Sequence, residues 1–179
     1  MPLFIGFVPT PFENLDACFD LVELSPSDVV YDLGSGDGRL LFAALERGAG
    51  RAVGVELSPE RIQMAREGAR AKGLEDRVSF VEADVMDAGL IEATVVLCYL
   101  FTTASRALRP KLEAELKPGT RVIMESFPIH RWKPERVAAK NGRTFYLYTM
   151  PAEIDENAKE EEIYPGLTDE YYGMPFYPW

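Results

Sequence analysis

The chain has 179 residues, 47% of them hydrophobic and 27% charged, with a net charge of −10 at neutral pH. That length suits one globular α/β domain with an appendage, and the absence of any apolar run near the ~20 residues of a membrane helix speaks against a membrane. Two distant cysteines, Cys18 and Cys98, and a single histidine, His130, argue against a zinc site or a disulfide framework and for a reducing cytoplasm.

The charge is unevenly spread. Residues 151–179 hold eight acids and one base, which leaves residues 1–150 at −3. The body is nearly balanced, with no broad basic surface for a nucleic-acid backbone. The opening MPLFIGFVPTPF has neither a basic stretch nor a small-residue cleavage site, so it does not read as a signal peptide.

In chain order, NLDACFDLVEL at 14–24 has helical apolar spacing, with Asn14 as a candidate cap and Ser25-Pro26 as a stop. Residues 28–33 form a buried strand and 37–47 a helix stopped by Gly48 and Gly50. RAVGVEL at 51–57 is a second strand. Ser58-Pro59-Glu60 starts a helix that runs to Lys72 and ends at Gly73. RVSFVEAD at 77–84 and ATVVLCYL at 93–100 are strands three and four, the latter apolar on both faces. A helix from about Thr103 to Leu116 and a fifth strand at 120–127 follow. Segments 135–140 and 143–150 flank Asn141-Gly142, a strong hairpin signal. Strand and helix alternate, which implies a doubly wound, mostly parallel sheet with helices on both faces and a closing antiparallel hairpin. Residues 1–150 form the main domain in this reading, and 151–179 an acidic, aromatic-rich extension that docks on its own body in preference to a partner chain.

The segment 29-VVYDLGSGDGRLL-41 concentrates an acid, a glycine-dense turn and a helix start. In an open parallel sheet, ligands bind beyond the carboxyl ends of the strands. Glycine admits positive φ and removes the Cβ that holds a ligand away. Gly34, Ser35 and Gly36 can thus bring backbone N–H groups to a ligand at a helix N-terminus. A dinucleotide site wants G-x-G-x-x-G, but here the spacing is Gly34-x-Gly36-x-Gly38, with Asp32 ahead of it. That acid would repel a pyrophosphate. It suits a ligand with an ammonium and a sulfonium, and S-adenosylmethionine has both. Glu56, 22 residues after Gly34, can accept both ribose hydroxyls. Asp84 can accept from the adenine amino group, with Leu57 and Val85 sandwiching the ring. Taken singly, Asp32 reads equally as a strand-end cap, Glu56 as a solvated turn residue and Asp84 as a cap. Their sites at the ends of three successive strands favour one ligand.

Through DLGSGDGR at 32–39, GVEL at 54–57 and EAD at 82–84, the sequence resembles the class I (seven-strand) S-adenosylmethionine-dependent methyltransferases over residues 1–150. FVPTP at 7–11, AVGVELSPE at 52–60, ATVVLCYL followed by Phe101-Thr102-Thr103, LRPKLEAELKPGTRVI at 108–123 and HRWKPE at 130–135 narrow the likeness. Together they resemble the archaeal broad-specificity protein-lysine methyltransferases and related mitochondrial lysine methyltransferases. The glycine motif and GVE are also similar to those of the non-SET histone-lysine methyltransferases. The resemblance implies N-methylation of lysine side chains in protein substrates. It also implies an N-terminal segment, Phe7 to Pro11, that closes over the donor, with Thr10 bonding the donor's carboxylate.

The acceptor is expected beside the ends of strands four and five, at Tyr99, Leu100, Phe101, Thr102, Ser126, Phe127 and Pro128. Tyr99, Phe101 and Thr102 are the candidates for the acceptor channel, where aromatic walls would hold an amine by cation–π attraction. Tyr99 packed in the core is the other reading of that residue. In-line methyl transfer needs alignment and water exclusion and no metal, and burial beside a sulfonium lowers a lysine's pKa. Other readings remain open: a small-molecule or RNA methyltransferase, an NAD-binding domain, or a donor-binding module without catalysis. No Asn/Asp-Pro-Pro-aromatic turn follows the fourth strand, and Cys98 is not preceded by proline. Both cysteines read as buried thiols. His130 is a base in principle and a structural or solvated loop residue otherwise.

Overall fold

The computed structural model describes residues 9–100 and 102–158, with the backbone alone at 102–104. A 3-10 turn at Phe12–Asn14 leads into α1 (Leu15–Phe19), followed by β1 (Val29–Leu33), α2 (Arg39–Glu46), β2 (Arg51–Glu56) and α3 (Pro59–Lys72). Then come β3 (Val78–Glu82), β4 (Val95–Cys98), α4 (Thr102–Glu115), β5 (Arg121–Glu125), β6 (Arg136–Lys140) and β7 (Arg143–Thr149). The seven strands form one sheet in the order β3-β2-β1-β4-β5-β7-β6. The first five are parallel, and β7 runs antiparallel to both its neighbours. Strand order reverses between β1 and β4, so a crevice opens at their carboxyl ends.

Alternation along the strands feeds two cores. Val30, Ala52, Leu97, Ile123 and Phe145 face α1 and α2. Tyr31, Leu33, Val96, Met124 and Tyr148 face α4 through Leu108, Leu112 and Leu116. All four residues of β4 are buried, as its unbroken apolar run requires. Helix α3 begins and ends on the expected residues. The Ser58 hydroxyl accepts from the Arg61 N–H at 3.3 Å, and Gly73 closes the helix at φ 64°. Asn141 and Gly142 have φ of 49° and 75°, the paired positive values that a two-residue hairpin turn demands.

Two local expectations change. Helix α1 stops at Phe19 rather than near Leu24. The reason is long-range: Arg136 takes the carbonyls of Leu21 and Asp20 at 3.0 and 3.2 Å, and Arg121 takes that of Glu23 at 2.6 Å. Cations from β6 and β5 thus take the Asp20 carbonyl, which a helix reaching Leu24 would use, and satisfy those of Leu21 and Glu23, which a helix end leaves open. Asn14 precedes α1 but makes no capping bond; its side-chain oxygen instead accepts from Asn141 at 2.9 Å.

At the amino ends of the strands, Asp28 is buried and receives the Ser25 N–H and hydroxyl at 2.7 and 2.9 Å and the Thr94 hydroxyl at 2.7 Å, and it pairs with Arg121. Burial raises its pKa, but the bonds from Thr94 and Ser25 and the Arg121 charge outweigh that and hold it below the ordinary value. Past β7, Ile154 bridges to Trp132, and the Lys133 and Asp155 N–H groups donate to Glu153 and Arg131 at 2.8 Å each. The acidic extension therefore begins by packing on residues 131–133; residues 159–179 lie outside the described residues.

Candidate active site

The glycine turn is pressed onto β2. Gly34, Gly36 and Gly38 have φ of 87°, 53° and 80°. The N–H groups of Gly34 and Ser35 donate to the Val55 carbonyl at 2.8 and 3.0 Å, and that of Gly36 to the Glu56 carboxylate at 3.0 Å. The amides expected to face a ligand are thus spent on β2 in this state. Gly54 permits the close approach: a Cβ there would lie 2.5 Å from the Ser35 hydroxyl and 2.7 Å from Phe80. The Ser35 hydroxyl itself is buried and has no hydrogen-bond partner among the described residues.

Three buried acids meet above the turn. Asp32 ends β1 at 3% exposure and accepts no hydrogen bond from the described residues. Burial first, then the charges of Glu125, Glu56 and Asp37, push its pKa up to about 8. Glu56 has four donors on its two oxygens: the Gly36, Leu57 and Ser58 N–H groups at 3.0, 3.0 and 2.9 Å, and Arg61 at 3.3 Å. Three of these fall on Oε1 and one, from Gly36, on Oε2, so Oε2 keeps a lone pair open for a ribose hydroxyl. Glu125, at the end of β5, completes the group. It is not among the residues expected from sequence, although an acid closing a strand in MESF follows the pattern of Asp32 and Glu56.

Asp84 stands apart. It lies two residues past β3, takes the Met86 N–H at 2.9 Å, and is absent from the charges acting on Asp32. It caps a turn here, beside the end of β2, where the Ala83 N–H donates to the Glu56 carbonyl at 3.2 Å. Leu57 is exposed and Val85 half-buried.

The N-terminal arm crosses this edge. Thr10 is buried, and its hydroxyl donates to the Glu125 carboxylate rather than facing an open slot. Arg39, first residue of α2, clasps Asp37 through three contacts of 2.6 to 3.1 Å. The same guanidinium donates to the Thr10 carbonyl at 3.2 Å and lies 4.5 Å from the centre of the Phe12 ring. The arginine of the glycine motif therefore anchors the arm, a role its sequence position did not disclose. Phe7 and Val8 lie outside the described residues.

On the acceptor side, Tyr99 is half-buried and stacks on Phe127, with centroids 6.4 Å apart and planes 13° from parallel. Ser126 takes φ 65°, and the Phe127 N–H closes back on the Glu125 carbonyl at 2.8 Å. This tight, rarely populated turn reverses the chain so that Phe127 meets Tyr99. Arg143, opening β7, pairs with Glu125 at 2.7 Å and lies 4.9 Å above the Tyr99 ring. Cys18, Leu97, Cys98, Tyr99 and Glu125 line a cavity of about 10 Å³. Leu100 is buried; Pro128 is half-buried. Phe101 lies outside the described residues, and Thr102 opens α4 with its side chain outside them. Burial pushes both thiols up, which makes Cys18 and Cys98 inert. His130 is buried, and its carbonyl accepts from Arg109 at 3.1 Å.

The arrangement is an acid-rich crevice at a strand-order reversal, built for a cationic ligand beside an aromatic wall. Comparison with known proteins agrees. A family profile described as the ANTKMT methyltransferase domain matches residues 32–136. A protein-lysine N-methyltransferase of Saccharolobus islandicus is 39% identical over 82% of this chain and 94% of its own length. The adenine nucleotide translocase lysine N-methyltransferase of mouse is 31% identical over 82% of this chain, which spans 63% of that protein. A solved structure described as an RNA methyltransferase from Salinibacter ruber, in complex with S-adenosyl-L-homocysteine, superposes with a TM-score of 0.80 at 40% identity, covering 86% of this chain and 100% of the other. The chain therefore belongs to the ANTKMT methyltransferase domain family and is a seven-strand, S-adenosylmethionine-dependent methyltransferase.

Proposed function

We propose that this enzyme N-methylates lysine side chains of proteins. The observation that carries the reading is the buried Asp32, pressed by Glu56 and Glu125 and paired with no cation among the described residues, beside an aromatic wall at Tyr99 and Phe127. The acids fit the donor. Asp32 would hold its ammonium, Glu56 its ribose hydroxyls starting from the open side of Oε2, and Asp84 its adenine amino group. Leu57 and Val85 would cover the two ring faces, and Thr10 and Gly34 to Gly36 would close around the amino-acid end. S-adenosylmethionine supplies the methyl group on a sulfonium. This chain's part is to align it with the acceptor, exclude water and favour a neutral amine. The lysine acceptor is supported by the names of the two relatives. The two unpaired, buried cysteines suit a reducing cytoplasm.

The description of the Salinibacter neighbour favours a second reading, an RNA acceptor. Charge argues against it. Residues 1–150 carry −3 and offer no broad basic surface to a phosphate backbone. The deciding experiment incubates the enzyme with methyl-labelled donor and lysate, with and without protease or nuclease. Label lost to protease and mapped to methyl-lysine is the expected result. Label lost only to nuclease establishes the RNA reading instead.

A further inference from the structure

Arg143 is placed where an acceptor should be. Its guanidinium bonds Glu125 at 2.7 Å and covers the Tyr99 ring at 4.9 Å. A carboxylate below and an aromatic face alongside are the two features that recognise an alkylammonium. We propose that Glu125 and Tyr99 form the seat for the substrate's lysine amine, and that Arg143 fills this seat until the substrate displaces it. The proposal rests on the lysine reading and names the residues that bind that lysine.

Three observations support it. First, Glu125 sits at 3% exposure, while the Arg143 side chain remains 19% exposed. The anion is fixed inside, and the cation reaches it from the solvent side. Second, the exchange conserves charge. One monocation leaves Glu125 and another arrives, so the buried carboxylate is never stripped of its partner, the state that penalises a broken buried pair most. Third, the seat adjoins the donor site and touches it at Thr10. Glu125 acts on Asp32 through space, and its own bonds go to Thr10 and Arg143. The arm held by Thr10 thus meets donor and acceptor at one carboxylate. Burial still pushes the Glu125 pKa up despite both partners, which suits it to take the proton that the arriving ammonium must lose before it can attack. The Ser126 turn and the Phe127 stack hold the Tyr99 ring in place for this task.

The test titrates n-butylammonium, a lysine side-chain terminus, into the full chain saturated with S-adenosylhomocysteine, followed by calorimetry. Arg143→Met should bind n-butylammonium at least fivefold more tightly than the parent. Glu125→Gln should weaken it at least tenfold, and Arg143→Met should leave S-adenosylhomocysteine affinity within about threefold. Neutral n-butanol should show neither change. Arg143→Lys keeps the charge but loses the planar stack; it should give an intermediate tightening, and it serves if the methionine variant does not fold. No tightening on changing Arg143, or a Glu125→Gln loss that falls equally on S-adenosylhomocysteine, overturns the proposal. The lysine reading is judged separately, by methyl-lysine in the labelled lysate. The titration decides the seat whatever that assay returns.

Discussion

Asp32 makes donor binding a proton-coupled event. Its pKa of about 8 stands far above the ordinary value of 3.8, so its ionisation opposes folding. That penalty grows as the pH rises from the unfolded value towards 8 and is complete above it. A ligand ammonium pairs only with the ionised form. At pH 6 about 1% of Asp32 is ionised, and at pH 7 about 9%, while an α-amino group with a pKa near 7.7–8.0 stays largely protonated. S-adenosylhomocysteine should therefore bind about tenfold more tightly at pH 7 than at pH 6, a gain of about 1.4 kcal/mol. Close to one proton should be released per ligand. Calorimetry at pH 6.0, 6.5 and 7.0, in buffers of different ionisation enthalpy, reads both quantities. Asp32→Asn should bind 10- to 100-fold more weakly at pH 7, by roughly the 1.5–3 kcal/mol of a charged hydrogen bond, and should lose the slope. Flat affinity in the parent, with no proton released, would refute the claim that Asp32 receives the amine.

Gly54→Ala drives a methyl against the Ser35 hydroxyl, Phe80 and Leu41; it should cost about 1–3 kcal/mol, seen as a lower urea midpoint with unchanged slope. Asp28→Asn weakens the bonds from Ser25, Thr94 and Arg121 and should lose about 1–3 kcal/mol at neutral pH. Because the Asp28 pKa is lowered on folding, its stabilisation is present above the ordinary carboxylate value. Parent and variant should converge as acid takes the pH through the depressed one, with S-adenosylhomocysteine affinity unchanged at pH 7. Arg39→Ala frees the arm from Asp37, Thr10 and Phe12. Stopped-flow measurement should show several-fold faster S-adenosylhomocysteine release, with stability changed by less than about 1 kcal/mol.

What local pattern controls could be read in advance. The glycine turn, the Ser58-Pro59 start, the Gly73 stop and the Asn141-Gly142 hairpin all follow from a few neighbouring residues. Asp32 and Glu56 were legible because strand periodicity places them at carboxyl ends. Glu125 obeys the same rule, yet only the insertion of β7 beside β5 brings Arg143 to it, and local pattern carries no record of that pairing. The early end of α1 and the diversion of Asn14 have the same origin, since Arg136, Arg121 and Asn141 lie more than 90 residues away. Asp84 is the opposite case: its turn-capping alternative is the contact the structure displays.

The reversed direction of β7 has an architectural consequence. Every parallel strand can offer the crevice only its final residues, but β7 enters there with its first. The short hairpin turn thus delivers Arg143 to the crevice edge beside Glu125, a place that no parallel strand could reach with its first residue.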